Sequence, residues 1–463
     1  MQSTAIPAFN HPSFRGRIGV AQCDITPPVG IYSRTWGAAT HEVAQSIHRP
    51  LTLSAMTIAS SQRSSPLVLV CADLSFWKTP EAMATFQAQL LQELALPPED
   101  FIFALAHTHA APPLVITDEP LPGGDLLREY MESLPERIVQ TVRQAEQQSF
   151  DAILEWETGR CSLATVRDFR DPAPGKDRFL CGYSPNAKAD DTLLVGRITD
   201  AQGTTRATLV NYACHPTTLA WENTAISPDY IGATRELVEQ TTQAPMFFLL
   251  GACGELAPRY QYTGVTAVAD AHGRQLGYAV LSTLSGMEPP GTALKYAGIV
   301  ESGAPLACWA REPHASSSQL DTLQTTIDIP LKHWPTAEEL EREYLASSDP
   351  FQQERLRRKR GIRLALGDGD TFPLKLFTWR VGEAILTGSL GEAYSVFQED
   401  LRAQFKENPV ICMNLINGSL GYLPPADRYD EDIYPVWQTP FDRGCLELTL
   451  AAARKSIHDL LSR

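Results

Sequence analysis

Four apolar runs in this chain end abruptly in groups that bind metals or move protons. "FIFALAHTH" ends in His107 and His109, "RATLVNYACHP" in His215, "EAILTGSLGE" in Glu392, and "VICMNLINGSLGY" at Tyr422. Imidazole and carboxylate are standard zinc ligands, and a catalytic zinc keeps one position open for water. In a His-x-His on extended backbone both rings project to one face, so one can bind a metal while the other works as acid or base. Taken singly, each has a plainer explanation. A histidine at a strand end is commonly a hydrogen-bonded structural residue, and a glutamate before a helix suits the helix's positive end. Ligands this far apart in sequence meet only if the fold brings the four run ends together.

The surrounding elements are of the kind that could do so. "PLVLVCADLSFW" is a continuous apolar run ending in Asp73, the pattern of a strand buried on both faces. Thr79 and Pro80 then open a helix as N-cap and first helical residue. "DFIFALAHTHAAPP" follows as a second buried strand, and "DLLREYMESLPERIVQTVRQAEQQ" as helix. This alternation predicts an α/β fold of layered mixed β-sheets flanked by helices, with the metal site at strand C-terminal ends. Beyond Asp151 the texture is richer in strands. The polar loop "RDFRDPAPGKDRFLCGYSPNAKADD" is long enough to be an active-site cover. A second half begins near Ala293, so the expectation is one catalytic domain over residues 1–463 with two lobes, about 17–290 and 291–463.

Composition narrows the functional classes. A net charge of −15 argues against nucleic acid as a partner, which needs clustered Lys and Arg. The basic run "ERLRRKRGIR" (354–363) reads as a solvated helix face. The nine cysteines are scattered without a Cys-x-x-Cys, as expected of reduced thiols. With no apolar h-region at the N-terminus and no run long enough to span a bilayer, the expectation is a cytoplasmic protein acting on a small molecule. The sequence is silent on oligomeric state.

Several segments carry a resemblance. "GVAQCDITPPVG", "AHTHAAP", "NYACHPTTL", "GACGELAPR", "SLGEAYSVFQEDLR" and "GSLGYLPPADRYDEDIY" occur in the order of similar motifs in the neutral/alkaline (non-lysosomal) ceramidase family. The chain resembles that family's N-terminal catalytic domain from about Arg17 onward. The resemblance implies one zinc ion held by His107, His215, Glu392 and Tyr422, although other divalent metals suit the same donors. It places His109 beside the metal as a helper. It places Tyr434 where a phenol can donate one hydrogen bond to a developing oxyanion.

The chain also departs from the family. Where its ceramide hydrolases have serine in a Gly-Asp-x-Ser-Pro segment, this sequence reads Gly254, Glu255, Leu256, Ala257, Pro258. The glycines of "GACGEL" otherwise read as turn residues at unusual φ. The further C-terminal β-sandwich domain and the secretory signal of the family's ceramidases are not expected here. The expected function is therefore a zinc-dependent hydrolase using a metal-activated water on an amide, ester or lactone bond of a soluble small substrate. The alternatives are a non-catalytic binding protein that kept the metal as a structural pin, a metal-dependent glycoside- or lyase-type enzyme, and a metal-free scaffold. Weaker candidates surround the site. Arg259 could clamp a substrate carboxylate or pair with Glu255. Asp24 and Asp73 could support imidazoles or cap turns. Arg34, Trp36 and the stretch 221–232 could line the pocket, with Asp229 capping a helix.

Overall fold

The continuous apolar runs become strands covered on both faces. The computed structural model describes residues 7–115, 120–367 and 369–463, apart from the side chains of Pro80, Glu81, Pro350 and Phe351. The main sheet has eight strands: β1 (Ser13–Asp24), β2 (Thr52–Ala59), β3 (Leu67–Ala72), β4 (Phe101–Leu105), β5 (Phe150–Arg160), β6 (Thr192–Asp200), β7 (Thr205–Tyr212) and β8 (Met246–Leu250). Their spatial order is β8-β7-β6-β5-β1-β2-β3-β4. The pairs β3–β4 and β7–β8 are parallel and all others antiparallel. The strand–helix alternation of the sequence is thus confined to the two parallel pairs, one at each edge. His107 and His215 follow β4 and β7, one member of each pair.

A second sheet of β9 (Leu320–Pro330), β10 (Thr371–Val381), β11 (Ala384–Ser389) and β12 (Val410–Met413) runs in that order. The two sheets pack face to face through Ile18, Met56, Trp156 and Phe247 on one side and Phe377, Trp379, Leu386 and Ile411 on the other. The far face of the main sheet is covered by α1 (Pro80–Leu94), α2 (Gly124–Gln147), α3 (Tyr230–Thr242) and α4 (Thr266–Ser285), which contribute Phe86, Tyr130, Val238 and Leu276 to that core. Against the far face of the second sheet pack α7 (Val396–Gln404) and α9 (Cys445–Leu461), and Ile362 and Leu366 of α6 (Pro350–Leu366) join the same core; α5 (Ala337–Ala346) packs on α6, and the short α8 (Tyr434–Gln438) on the segment Tyr422–Leu423. The layers run helix, sheet, sheet, helix, so β3, β4, β8, β11 and β12 are buried along their whole length and need no polar alternation. Thr79 caps α1 through its hydroxyl, which accepts from the Ala82 amide, as its sequence predicts. All nine cysteines are unpaired. Among the described residues no helix is long and apolar enough to cross a membrane.

Strands β4 and β8 are opposite edges of one sheet, yet they lie against each other. The segment after β12 joins them. The Asn414 amide donates to the Leu250 carbonyl at the end of β8 (3.0 Å), while the Leu105 amide at the end of β4 donates to the Leu415 carbonyl (3.3 Å). Asn417 completes the seam with its side chain, accepting from the Phe103 amide (2.7 Å) and donating to the Phe101 carbonyl (2.9 Å). Leu415 and Asn417 reach these positions with φ of 55° and 52°, in the left-handed region.

An Asn417→Ala variant is expected to unfold about 3 kcal/mol more easily, because a buried amide and a buried carbonyl lose their partners. Denaturant unfolding checks this, and a loss below about 0.5 kcal/mol would mean the seam is not held by this side chain.

Candidate metal centre

His107 sits just past β4 with φ 67°, a left-handed conformation uncommon for a residue other than glycine. Its Nδ1 lies 3.4 Å from the Ser75 carbonyl oxygen. His215, beyond β7, has Nδ1 3.1 Å from the Leu256 carbonyl oxygen. A carbonyl only accepts, so both Nδ1 atoms carry the ring proton and both Nε2 atoms present lone pairs. Those lone pairs point at one carboxylate oxygen: Glu392 Oε2 is 2.9 Å from His215 Nε2 and 3.6 Å from His107 Nε2. The donor atoms of all three buried residues lie within 4.8 Å of one another.

Glu392 is delivered by a minimal device. Glu392–Ala393 and Tyr422–Leu423 form a two-residue parallel pair in which Glu392 is registered with Tyr422. Gly421, at φ 64°, enters this pair where a Cβ would meet Pro440 at 2.6 Å. Asn414 holds the next residue, accepting from the Ala393 amide and donating to its carbonyl, both at 3.1 Å. A Cβ on Gly254 would stand 2.9 Å from the Glu392 carbonyl oxygen. The glycines of "GACGEL" are thus explained by close backbone approach; neither Gly251 nor Gly254 has positive φ, contrary to the turn reading.

The Tyr422 ring stacks beside His215 (centroids 6.3 Å, 29°), and its hydroxyl accepts a 3.0 Å hydrogen bond from Arg167 Nη2. Arg167 opens the long polar loop after β5 and is buried; its Nη2 also donates to the Gly254 carbonyl at 2.7 Å. Nothing in the sequence singled it out beyond its place at the start of that loop. Tyr434, at the head of α8, lies 5.6 Å from the Tyr422 ring.

His109 makes a 4.8 Å T-shaped contact with His107. Its two ring nitrogens are shielded and have no hydrogen-bond partner among the described residues. Trp36 and Phe76 close around it at 4.9 and 5.5 Å, and Trp221 and Tyr262 extend this aromatic wall through Trp36. The loop bearing His107 and His109 is braced from below. Thr108 Oγ1 donates to the Ser227 carbonyl (2.7 Å), and Ser227 Oγ meets His48, which in turn meets Asp270 at 3.2 Å. This Ser–His–Asp chain is a brace and not a nucleophile, since Ser227 has no exposed surface.

Burial, and then the Arg167 charge, holds the His215 imidazole down at about 4. Burial and the other two imidazoles keep His109 well below the usual histidine range. Burial opposes ionisation of Glu392, but His107 and His215 outweigh it and hold the carboxyl well below the usual range. Burial pushes the Tyr422 phenol well up, with Arg167 opposing. The cluster thus sets two imidazole Nε2 atoms against one carboxylate, and His107 Nε2 lacks any hydrogen-bond partner among the described residues. Lone pairs crowded on lone pairs in a buried site call for a cation, and this donor set suits a zinc-like ion.

The weaker candidates separate. Trp36 and Trp221 line the wall, and Asp229 caps α3 at the Tyr230 amide (2.6 Å). Arg34 pairs with Glu42 instead (3.4 Å). Asp73 forms a buried two-pronged pair with Arg235 (2.6 and 2.7 Å), and Asp24 caps a turn at the Thr26 amide. The imidazoles are oriented by backbone carbonyls, so neither aspartate is needed for that. Arg259 is exposed over the Tyr183 ring at 5.4 Å, and Glu255 bonds Ser395 rather than Arg259. Ala257 is fully buried in a short strand pairing with Thr165.

No family model matches the chain, and no curated protein matches it. Two solved structures are similar in fold. One is a ceramidase complexed with C2, at TM-score 0.65 and 14% identity, covering 96% of this chain and 76% of that one. The other is neutral ceramidase from Pseudomonas aeruginosa, at TM-score 0.66 and 16% identity, covering 96% of this chain and 75% of that one. The fold is that of the neutral ceramidases, in agreement with the motif resemblance.

Glu255 supports the strand-to-helix turn after Glu392 by accepting from the Ser395 amide at 3.0 Å, and burial pushes its carboxyl up to about 7. The folded chain thus holds this proton more tightly than the unfolded chain. Its contribution to stability is full below the ordinary glutamate pKa and is lost as pH rises towards about 7. In unfolding titrations from about pH 5 to about pH 8, Glu255→Gln should gain on the wild type as pH rises, whereas parallel curves would refute the raised pKa.

Proposed function

We propose that the chain is a metal-dependent hydrolase, acting on an amide, ester or lactone bond of a small substrate at the His107–His215–Glu392 cluster. One observation carries this reading: two imidazole Nε2 lone pairs converge on one carboxylate oxygen in a buried pocket, with both Nδ1 atoms committed to backbone carbonyls. The neutral ceramidase fold, named for amide hydrolases, supports it.

In this proposal His107, His215 and Glu392 hold one zinc ion, with Tyr422 as a fourth donor. When bound, the metal would supply an acidified water and a Lewis acid for the scissile carbonyl. Arg167 fixes the Tyr422 hydroxyl at the cluster's edge, which makes it a positioning residue. His109 is a neutral imidazole with both nitrogens unengaged, so it can accept one proton and return it to a leaving group. Tyr434 remains a neutral phenol, since burial raises its pKa, and so can donate to oxygen that becomes negative. The aromatic wall of Trp36, Phe76, Trp221 and Tyr262 excludes water and offers apolar area to an acyl group. The departure at Ala257 removes any hydroxyl from that position, so no covalent step on it is part of the proposal.

Elemental analysis with amide and ester hydrolysis assays tests this. The wild-type chain should carry about one equivalent of zinc, and His107→Ala and Glu392→Ala should lose it together with activity. Tyr434→Phe should keep the metal and lose about 100-fold in kcat. A wild-type chain that takes up no metal when zinc is offered would overturn the proposal, and metal retained without hydrolysis of any such bond would favour the structural pin.

A further inference from the structure

The sequence presents "ERLRRKRGIR" as a solvated basic face, but the helix carrying it turns part of that face inward. Helix α6 packs on α1, and the Glu354 side chain rests on Gly37, next to Trp36 of the pocket wall. Arg355 lies over Trp437 (4.5 Å), whose ring meets Tyr434 (4.9 Å). Arg358 is two-thirds covered, and its charge acts on both Tyr434 and Tyr422. Only its Nε is committed, to Glu354 at 2.7 Å, and its two terminal nitrogens make no hydrogen bond among the described residues.

Close to this helix, two residues before α1, lies Lys78. Its ammonium sits over the Phe76 ring at 4.6 Å, and the same ring packs on His107 and His109 at 5.7 and 5.5 Å. No described carboxylate pairs with this ammonium. Burial holds it down at about 7, and Arg358 and Arg357 press in the same direction. Lys78, Arg357 and Arg358 thus face one carboxylate, Glu354, which already accepts from both arginines. In a chain of net charge −15, an uncompensated cationic cluster beside an aromatic pocket costs stability and needs a reason.

We propose that Lys78 and Arg358 form an anion clamp at the mouth of the pocket, which selects substrates bearing a carboxylate near the scissile bond, such as an N-acyl amino acid. The aromatic wall takes the acyl group, and the point charge of Lys78 and the free prongs of Arg358 take the carboxylate. This deepens the hydrolase reading and rests on it for the position of the scissile bond, but the clamp itself is built from residues outside the metal cluster.

Calorimetry on the full-length chain, treated with chelator so that nothing turns over, tests the clamp with two compounds: phenylacetylglycine and its uncharged analogue phenylacetylglycinamide. The acid should bind about tenfold more tightly than the amide. Lys78→Met and Arg358→Gln should each bring that ratio towards one, while Lys78→Arg should retain it. Unchanged thermal unfolding of the variants separates clamp loss from misfolding. Equal affinities for the wild type, no binding of either compound up to about 10 mM, or a preference that survives both Lys78→Met and Arg358→Gln would overturn the clamp. Zinc uptake and hydrolysis without any charge preference would leave the hydrolase reading standing and remove this one. Charge preference in a chain that takes up no metal would do the reverse.

Discussion

Everything in the candidate centre depends on closing one seam. The main sheet carries its two parallel pairs at opposite edges, and a flat sheet would hold His107 and His215 far apart. The stretch from Asn414 to Asn417 bonds to the ends of β8 and β4 at once, and the Asn414 side chain takes Ala393 as a third partner. The segments that deliver His107 and Glu392, and β8, the parallel partner of the strand that delivers His215, are therefore tied to four consecutive residues. Left-handed backbone at His107, Leu415 and Asn417 is the local strain this closure requires. It persists because the surrounding hydrogen bonds over-determine it.

The electrostatics follow from the same closure. Once the sheet edges meet, the imidazoles lose water, and burial lowers the pKa of His215 and of His109. The backbone carbonyls of Ser75 and Leu256 then dictate which nitrogen carries the proton. Glu392 stays ionised because His107 and His215 outweigh its burial, and Tyr422 stays protonated because burial raises its pKa against the opposing Arg167. Neutral imidazole and ionised carboxylate are the protonation states a divalent cation requires of its ligands, and the lowered pKa values of His215 and Glu392 favour them at those two positions.

Much of this was legible in the sequence, and what was not has identifiable causes. Continuous apolar runs ending in His107, His215 and Glu392 marked strands buried between layers, because a strand covered on both faces has no polar alternation to hide it. Thr79–Pro80 and Asp229 announced their helix starts by cap chemistry. The mixed sheets expected from the sequence are present, but which strands run parallel was not legible: in the main sheet only the two edge pairs do, and the rest of it is antiparallel. Nothing in the sequence set Asn414 and Asn417 apart within the run "VICMNLINGSLGY", since Asn417 bonds backbone groups more than three hundred residues away and Asn414 joins Leu250 to Ala393. Arg167 was one arginine in a polar loop, and no periodicity marks a side chain that turns inward. The basic run of α6 misled for the converse reason. Charge density suggests solvent, but Lys78 and Tyr434, on which the charges of that helix act, lie far from it in the chain.

The central claim is that His107, His215 and Glu392 form one metal site, and the most direct measurement is anomalous diffraction at the zinc edge from crystals grown with zinc. The account predicts a single strong peak enclosed by His107 Nε2, His215 Nε2 and the Glu392 carboxylate, with the Tyr422 hydroxyl at its border. Crystals showing no peak there, with the two imidazoles hydrogen-bonded directly to Glu392, would contradict it.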